Sequence, residues 1–394
     1  SLRAAWSAFL DHVRTAPITY LPALLVALAA LCRPALRRSI RRAGELVARA
    51  STDRFMYTLW VLLLTTVLAA QWPLVFWLLS RRFVEAGGAT LLGAFGVGLA
   101  FAALQLLHLG WIVEASRPEG LAVVHLRLQS RPIRRLRQVV RAVLWSTLPF
   151  VLVGRVSVAL ADSNGNDALA RTCFFVVMIV SAAASAFLWA PRRGVLGEWY
   201  DAHPNRIATR LRHLTVSVIV GLYLFLALLS GIGYVYTAFY LQERLALTWL
   251  LVLGLLLAMG VLLRWLSVTH RRVALKMMNE APAATDPDST AAPMAIEQDA
   301  PLDRLAAVSE QTLRLIRAAL FVALLFGLWA IWANVLPALG GLRTIELWSL
   351  ASSAAEGTAT TLDINVFDVV MVCIGAIIGF IVIRSAPGLF ELAV

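Results

Sequence analysis

LTWLLVLGLLLAMGVLLRWL, residues 247–266, runs for twenty residues with a single charged side chain, Arg264. Coiled as an α-helix at 1.5 Å per residue, such a run is about 30 Å long, the thickness of a bilayer's hydrocarbon core. In hydrocarbon a backbone amide finds no water, and a helix satisfies its N–H and C=O groups internally. This segment therefore predicts a membrane-spanning helix, and the question becomes how many others accompany it.

Eight more apolar runs do: Ile18–Cys32, Met56–Leu79, Ala89–Val113, Ala142–Leu160, Ala168–Ala190, Leu214–Phe239, Ala318–Leu336 and Val366–Ile383. Ile18–Cys32 is the shortest, so it is expected to tilt in the interface or to be extended by the preceding Trp and Tyr anchors. Hydrophobic residues make up 60% of the chain and charged ones 15%, against about 45–50% and roughly 25% in soluble domains. No water-soluble fold hides that much apolar surface. The expected class is an all-α polytopic membrane protein with about nine transmembrane helices.

The net charge is +12. In a soluble protein that balance points to nucleic acid; here the basic residues sit between apolar runs, the pattern that sets topology. The connections Arg33–Arg54, Arg117–Arg141, Arg192–Arg212 and Arg271–Arg317 hold 7, 7, 5 and 6 Lys and Arg residues, and the opposite set holds 7. The opposite set also contains the acidic turn Asp162-Ser-Asn-Gly-Asn-Asp167. Positive residues stay on the cytoplasmic side, so the N-terminus is expected in the periplasm and the C-terminus in the cytoplasm. Nucleic acid is not an expected partner.

The chain begins at Ser1 rather than Met, and residues 1–16 lack the pattern of a signal peptide. The expectation is an excerpt of something longer. Leu2, Trp6, Phe9 and Val13 suggest an interfacial helix there. Residues 279–301 carry Pro282, Pro287, Pro293 and Pro301 with five acidic residues, the composition of a disordered cytoplasmic linker. Beyond it, Leu305, Val308, Leu315 and Ile316 fall at helical spacing opposite Arg304, Glu310, Arg314 and Arg317, suggesting a helix lying on the membrane before it enters.

Chemistry-bearing patterns are few. Cys32, Cys173 and Cys373 are far apart, with no CxxC pair and no His at ligand spacing, so neither a disulfide framework nor a metal site is expected. No catalytic residue and no cofactor is expected, and the chain is not read as an enzyme. Arg155 and Arg264 lie inside spans, where a charge is costly. Each lies close enough to a span end to reach water by bending its head group; the alternative is an ion or substrate site. His108, beside Trp111, reads as an interfacial histidine, and His125 falls in a basic connection. Gly93, Gly96 and Gly98, inside an apolar span without strand or Lys, read as close-packing glycines rather than a phosphate loop.

Gly375 and Gly379 form a small-xxx-small pair through which another helix can approach the last span. Arg131, Arg134, Arg135, Arg137 and Arg141, with Arg127, form a basic stripe suited to anionic lipid head groups, or retained there for topology alone. Membrane lipids are thus the expected partners.

Several strings resemble the MscK and MscM (KefA-like) branch of the MscS mechanosensitive channel family. They are GLAVVHLRLQ at 120–129, followed by RRLRQVV; GYVYTAFYLQERLALTW from Gly233; LLRWLSVTHRRVALK from Leu262; and LWAIWANVLPAL from Leu328. The resemblance implies a tension-gated ion channel subunit of the bacterial inner membrane that protects against hypoosmotic shock. It further implies a homo-oligomer, a heptamer by family analogy. On that reading residues 1–338 are sensor or paddle helices with the cytoplasmic linker 279–301. Residues 339–394 are then a periplasmic loop and the first helix of the MscS-like core. Arg384, Pro387 and Gly388 resemble the family's turn after that helix and, with Gly375 and Gly379, are the candidates for coupling tension to a pore. The glycine- and alanine-rich pore helix and the cytoplasmic vestibule do not occur in these residues. The alternative class is a transporter or lipid exporter of the inner membrane, which requires broken helices and polar residues at mid-membrane.

Overall fold

The structure is a computed structural model that describes residues 31–48, 53–88, 90–164, 168–190, 194, 195, 197, 212–280, 299–333, 346–352, 360–365, 368 and 372. The chain divides into two units, Ser1–Glu243 and Arg244–Val394.

The first unit is a serial up-and-down array. Helix α1 (Arg33–Ala48) is followed by α2 (Phe55–Gly87), α3 (Leu91–Ala115), a π-helical turn (Leu121–His125), α4 (Ser130–Asn164), α5 (Ala168–Leu188) and α6 (Arg212–Ile232). Helix α7 (Val235–Glu280) begins in this unit and continues in the second. Each of α2 to α5 packs on the next, α2 on α3, α3 on α4, α4 on α5 and α5 on α6.

Two glycines make the sharp reversals. Gly88, at φ +51°, ends α2, its N–H donating to the Val84 carbonyl at 3.1 Å. Gly233, at φ +118°, separates α6 from α7. Both angles lie where a Cβ clashes with the backbone, so glycine is the residue that fits. The single span expected over Leu214–Phe239 is thereby corrected. Its last residues, from Val235, are the first turns of α7, which runs on through residues 247–266 without a break.

The glycines of α3 do pack closely. A Cβ on Gly96 would lie 2.8 Å from the Ser80 carbonyl oxygen of α2, and one on Gly98 would lie 2.7 Å from Val156 Cγ2 and 2.9 Å from the Leu152 carbonyl oxygen of α4. The α3 backbone therefore approaches both neighbours at once, as small residues permit in membrane helix pairs.

In the second unit α7 pairs with α8 (Asp299–Trp332). Trp332 Nε1 donates to Thr248 Oγ1 at 3.1 Å, and Gly327 sits against Leu251. Helix α8 is one continuous element through the amphipathic stretch 305–317 and its apolar span. Strands β1 (Glu346–Ser352) and β2 (Thr360–Asn365) form an antiparallel hairpin, with Leu350 opposite Leu362. That hairpin is an addition to the helical expectation, in a stretch read as loop.

Among the described residues seven helices are long and apolar enough to cross a membrane: α2, α3, α4, α5, α6, α7 to Arg272, and α8 from Thr312. The 1–16 helix and nearly all of the expected Ile18–Cys32 and Val366–Ile383 spans and of the linker 279–301 lie outside the described residues. Trp60, Trp72, Trp77, Phe326 and Trp329 are exposed on spanning helices, large apolar surface of the kind lipid covers.

Candidate functional site

Arg33 and Arg37 are four residues apart on α1, so they share one helix face. Both reach one carboxylate, Glu114, at the end of α3. Arg33 Nη2 donates to Glu114 Oε1 at 2.8 Å, and Arg37 Nη2 stands 3.5 Å from the same oxygen. Arg117, one turn beyond Glu114, donates through Nε to Oε2 and through Nη2 to Oε1 at 3.1 Å. Glu114 is only 8% exposed, so its charge is held by guanidinium groups rather than by water, the arrangement in which a buried carboxylate is tolerated. Burial and then the Arg117 charge lower the Arg37 pKa, with Glu114 raising it.

Helix α1 reaches this carboxylate because the same face docks further along the helix. Ile40, Ala43, Gly44 and Val47 are buried, and a Cβ on Gly44 would lie 3.3 Å from Val124 Cγ1 of the π-helical turn. The turn contacts α1, α2 and α4. Its Leu121 is 1% exposed and its His125 fully buried, with His125 Nδ1 3.3 Å from Thr58 Oγ1 of α2. His125 is thus a core residue rather than part of a solvated loop.

Toward the opposite end of the α3–α4 pair, Arg155 lies between two aromatic rings. Its guanidinium carbon is 3.7 Å from the Phe101 ring centroid on α3 and 4.2 Å from that of Phe239 on α7. Phe239 in turn meets Phe174 of α5 edge-on at 4.6 Å. A cation is attracted to the ring face, so this one side chain joins α4 to α3 and to the start of α7. The head group stacks on both rings, and the residue is half-buried. Arg264, expected to reach water as well, is 5% exposed.

The family of the "Mechanosensitive ion channel inner membrane domain 1" matches residues 17–348, covering all eight helices among the described residues. The chain belongs to this family. Among relatives, the miniconductance mechanosensitive channel MscM of Escherichia coli K12 is 27% identical over 388 residues, 94% of this chain and 34% of that protein. The mechanosensitive channel MscK of the same organism is 25% identical, over 73% of this chain and 25% of its own length. An uncharacterized MscS family protein of Haemophilus influenzae is 23% identical over 72% of the chain and 26% of its own length. The chain spans about a third or less of the length of these relatives. It is a multi-pass protein of the inner membrane, as expected from its spans.

Two of the strings that carry the resemblance to the mechanosensitive channel family fall on joints of the array. Residues 120–129 hold the buried π-helical turn, and the string from Gly233 holds the α6–α7 break and Phe239. Of the expected lipid-facing arginines, Arg131, Arg134, Arg135 and Arg141 are exposed along the first turns of α4, and Arg137 is half-buried. The coupling candidates Gly375, Gly379, Arg384, Pro387 and Gly388 lie outside the described residues. Among the described residues no group of three His, Cys, Asp or Glu side chains stands close enough to hold a metal. Sequence reading missed Glu114 and its partners, although Glu114 and Arg117 at i, i+3 by a span end are a legible pairing signal.

Proposed function

We propose that this chain is the tension-sensing membrane part of a mechanosensitive channel subunit in the bacterial inner membrane, protecting against hypoosmotic shock. The observation that carries the reading is the family match from residue 17 to 348, over helices whose outward faces are apolar. A state that occupies more membrane area, or binds lipid differently, is favoured under tension and populated by it. A serial array has the means for this. Its neighbours are consecutive, so a tilt of one helix passes to the next through glycine-close contacts such as Gly98 with α4.

In this reading residues 1–338 form the sensor, 339–394 lead into the pore-forming core, and the subunits form a heptamer. The N-terminus is periplasmic and the basic connections are cytoplasmic. Gly375, Gly379, Arg384, Pro387 and Gly388 pass helix tilt to the pore. The work is mechanical, and no catalysis is involved.

The test is patch recording of the full-length protein in liposomes, with survival of osmotic downshock in a channel-deficient strain. Stretch-activated conductance together with rescued survival supports the proposal. Substrate-dependent flux in unstressed liposomes, with no response to suction, would replace it by the transporter reading.

A further inference from the structure

The Glu114 cluster is not charge-balanced. Arg33, Arg37 and Arg117 surround one carboxylate. The first turns of α4 add Arg137, whose electrostatic neighbours are Arg117, Arg141 and Arg37 besides Glu114. Four guanidinium groups from three places in the chain thus bear on a single negative charge, with Arg141 a further neighbour of Arg137. Nor are their donors used up, for the Nε atoms of Arg33, Arg37 and Arg137 are buried without a hydrogen-bond partner. A buried donor left unsatisfied is costly, and like charges held together repel. An anion with several acceptor oxygens would lower both costs. Guanidinium forks match phosphate oxygens in geometry as well as charge.

Depth in the membrane says where such an anion comes from. The cluster lies where the α3 span ends at Ala115 and the α4 helix begins at Ser130, the level at which hydrocarbon gives way to head groups.

We propose that Arg37, Arg117 and Arg137, gathered about Glu114, with Arg141 beside Arg137, form a binding site for a phosphate group, supplied by an anionic lipid head group. The site differs from the linear stripe along α4, because it needs α1 and the turn after α3. It goes beyond the tension-gated reading and stands or falls whether or not the protein opens under tension. Occupancy ties α1 to α4 through the anion.

The test uses full-length protein in an uncharged maltoside detergent. One arm adds phosphatidylglycerol, a second an uncharged diacylglycerol, and a third inorganic phosphate at matched ionic strength. Binding is read as retained lipid in native mass spectra and as slowed hydrogen exchange over residues 33–48. Phosphatidylglycerol is expected to bind and protect while diacylglycerol does not. Arg37→Gln with Arg137→Gln should weaken binding about 30-fold, the effect of two basic residues near an anionic lipid, and the Lys pair should restore most of it. The exposed Arg141→Gln, which leaves the packing intact, should weaken it about 5-fold. Protection by inorganic phosphate keeps the site and makes its source soluble. Equal binding of charged and uncharged lipid with no effect of phosphate, or unchanged affinity in Arg141→Gln and in the double Gln variant, would overturn the proposal.

Discussion

Replacing Glu114 by Gln keeps the shape of the side chain and removes the one anion among Arg33, Arg37 and Arg117. Charge-assisted hydrogen bonds in buried settings contribute about 1.5–3 kcal/mol each. The three arginine side chains are 27%, 41% and 30% exposed, so water recovers much of that on their side, and the pairs are discounted accordingly. A net loss of about 2–3 kcal/mol remains, concentrated on the docking of α1. Expressed as local opening, this is roughly a 30- to 150-fold loss of hydrogen-exchange protection. The amides to follow are those of the buried face, Ile40, Ala43, Gly44 and Val47, in uncharged detergent without added phosphate or anionic lipid. Glu45→Gln, on the exposed side of the same helix, should leave them unchanged. Adding Arg37→Gln to Glu114→Gln should recover part of the protection, because one of the repelling cations is then gone. Protection in Glu114→Gln within about threefold of wild type would refute the idea that this carboxylate holds α1.

Phe239→Leu removes one face of the Arg155 sandwich and the edge-on contact with Phe174; thermal unfolding should show a loss of about 2 kcal/mol, whereas Phe187→Leu, at a lipid-exposed ring, should cost under about 0.5 kcal/mol. Gly98→Ala forces a methyl group against Val156 and the Leu152 backbone and should destabilise by about 1–3 kcal/mol. Gly110→Ala and Gly254→Ala, with open space around them, should be neutral or stabilising by up to about 1 kcal/mol in the same assay. Trp332→Phe deletes the hydrogen bond to Thr248 and should loosen α8 from α7 by about 0.6 kcal/mol, read in a double-mutant cycle with Thr248→Val.

The spanning helices were legible because a twenty-residue apolar run has one physical solution in lipid. What the sequence hid were features decided by partners far along the chain. Residues 33–54 read as a basic connection, since arginine ordinarily marks solvated loops. Yet Arg33 finds its carboxylate 81 residues away, and that pairing turns the connection into a docked helix. The string Leu121–His125 is too short to show a helical period, so its burial could not be read from pattern. The apolar stretch across Gly231 and Gly233 looked like one span because hydropathy carries no record of a positive φ. For Arg155 the sequence offers water or an ion or substrate site, and no local signal announces Phe101 and Phe239, which approach from two other helices.

The two polar fastenings of the array differ in how the environment reaches them. The Glu114 cluster sits at a span end with its arginines partly exposed, so mobile ions within a Debye length, about 8 Å at physiological salt, weaken it. Arg155 is held instead by the faces of two rings, an attraction less open to mobile ions than an ion pair at a span end. Rising ionic strength should therefore release α1 while leaving α4 joined to α3 and to the start of α7. An anionic lipid acts in the opposite sense, since it enters the cluster as a fixed charge rather than a diffuse atmosphere. If tension is sensed by this array, α1 is the element whose attachment responds to the composition on both sides of the head-group layer. The α3–α4–α7 joint is then the rigid part that carries the displacement onward.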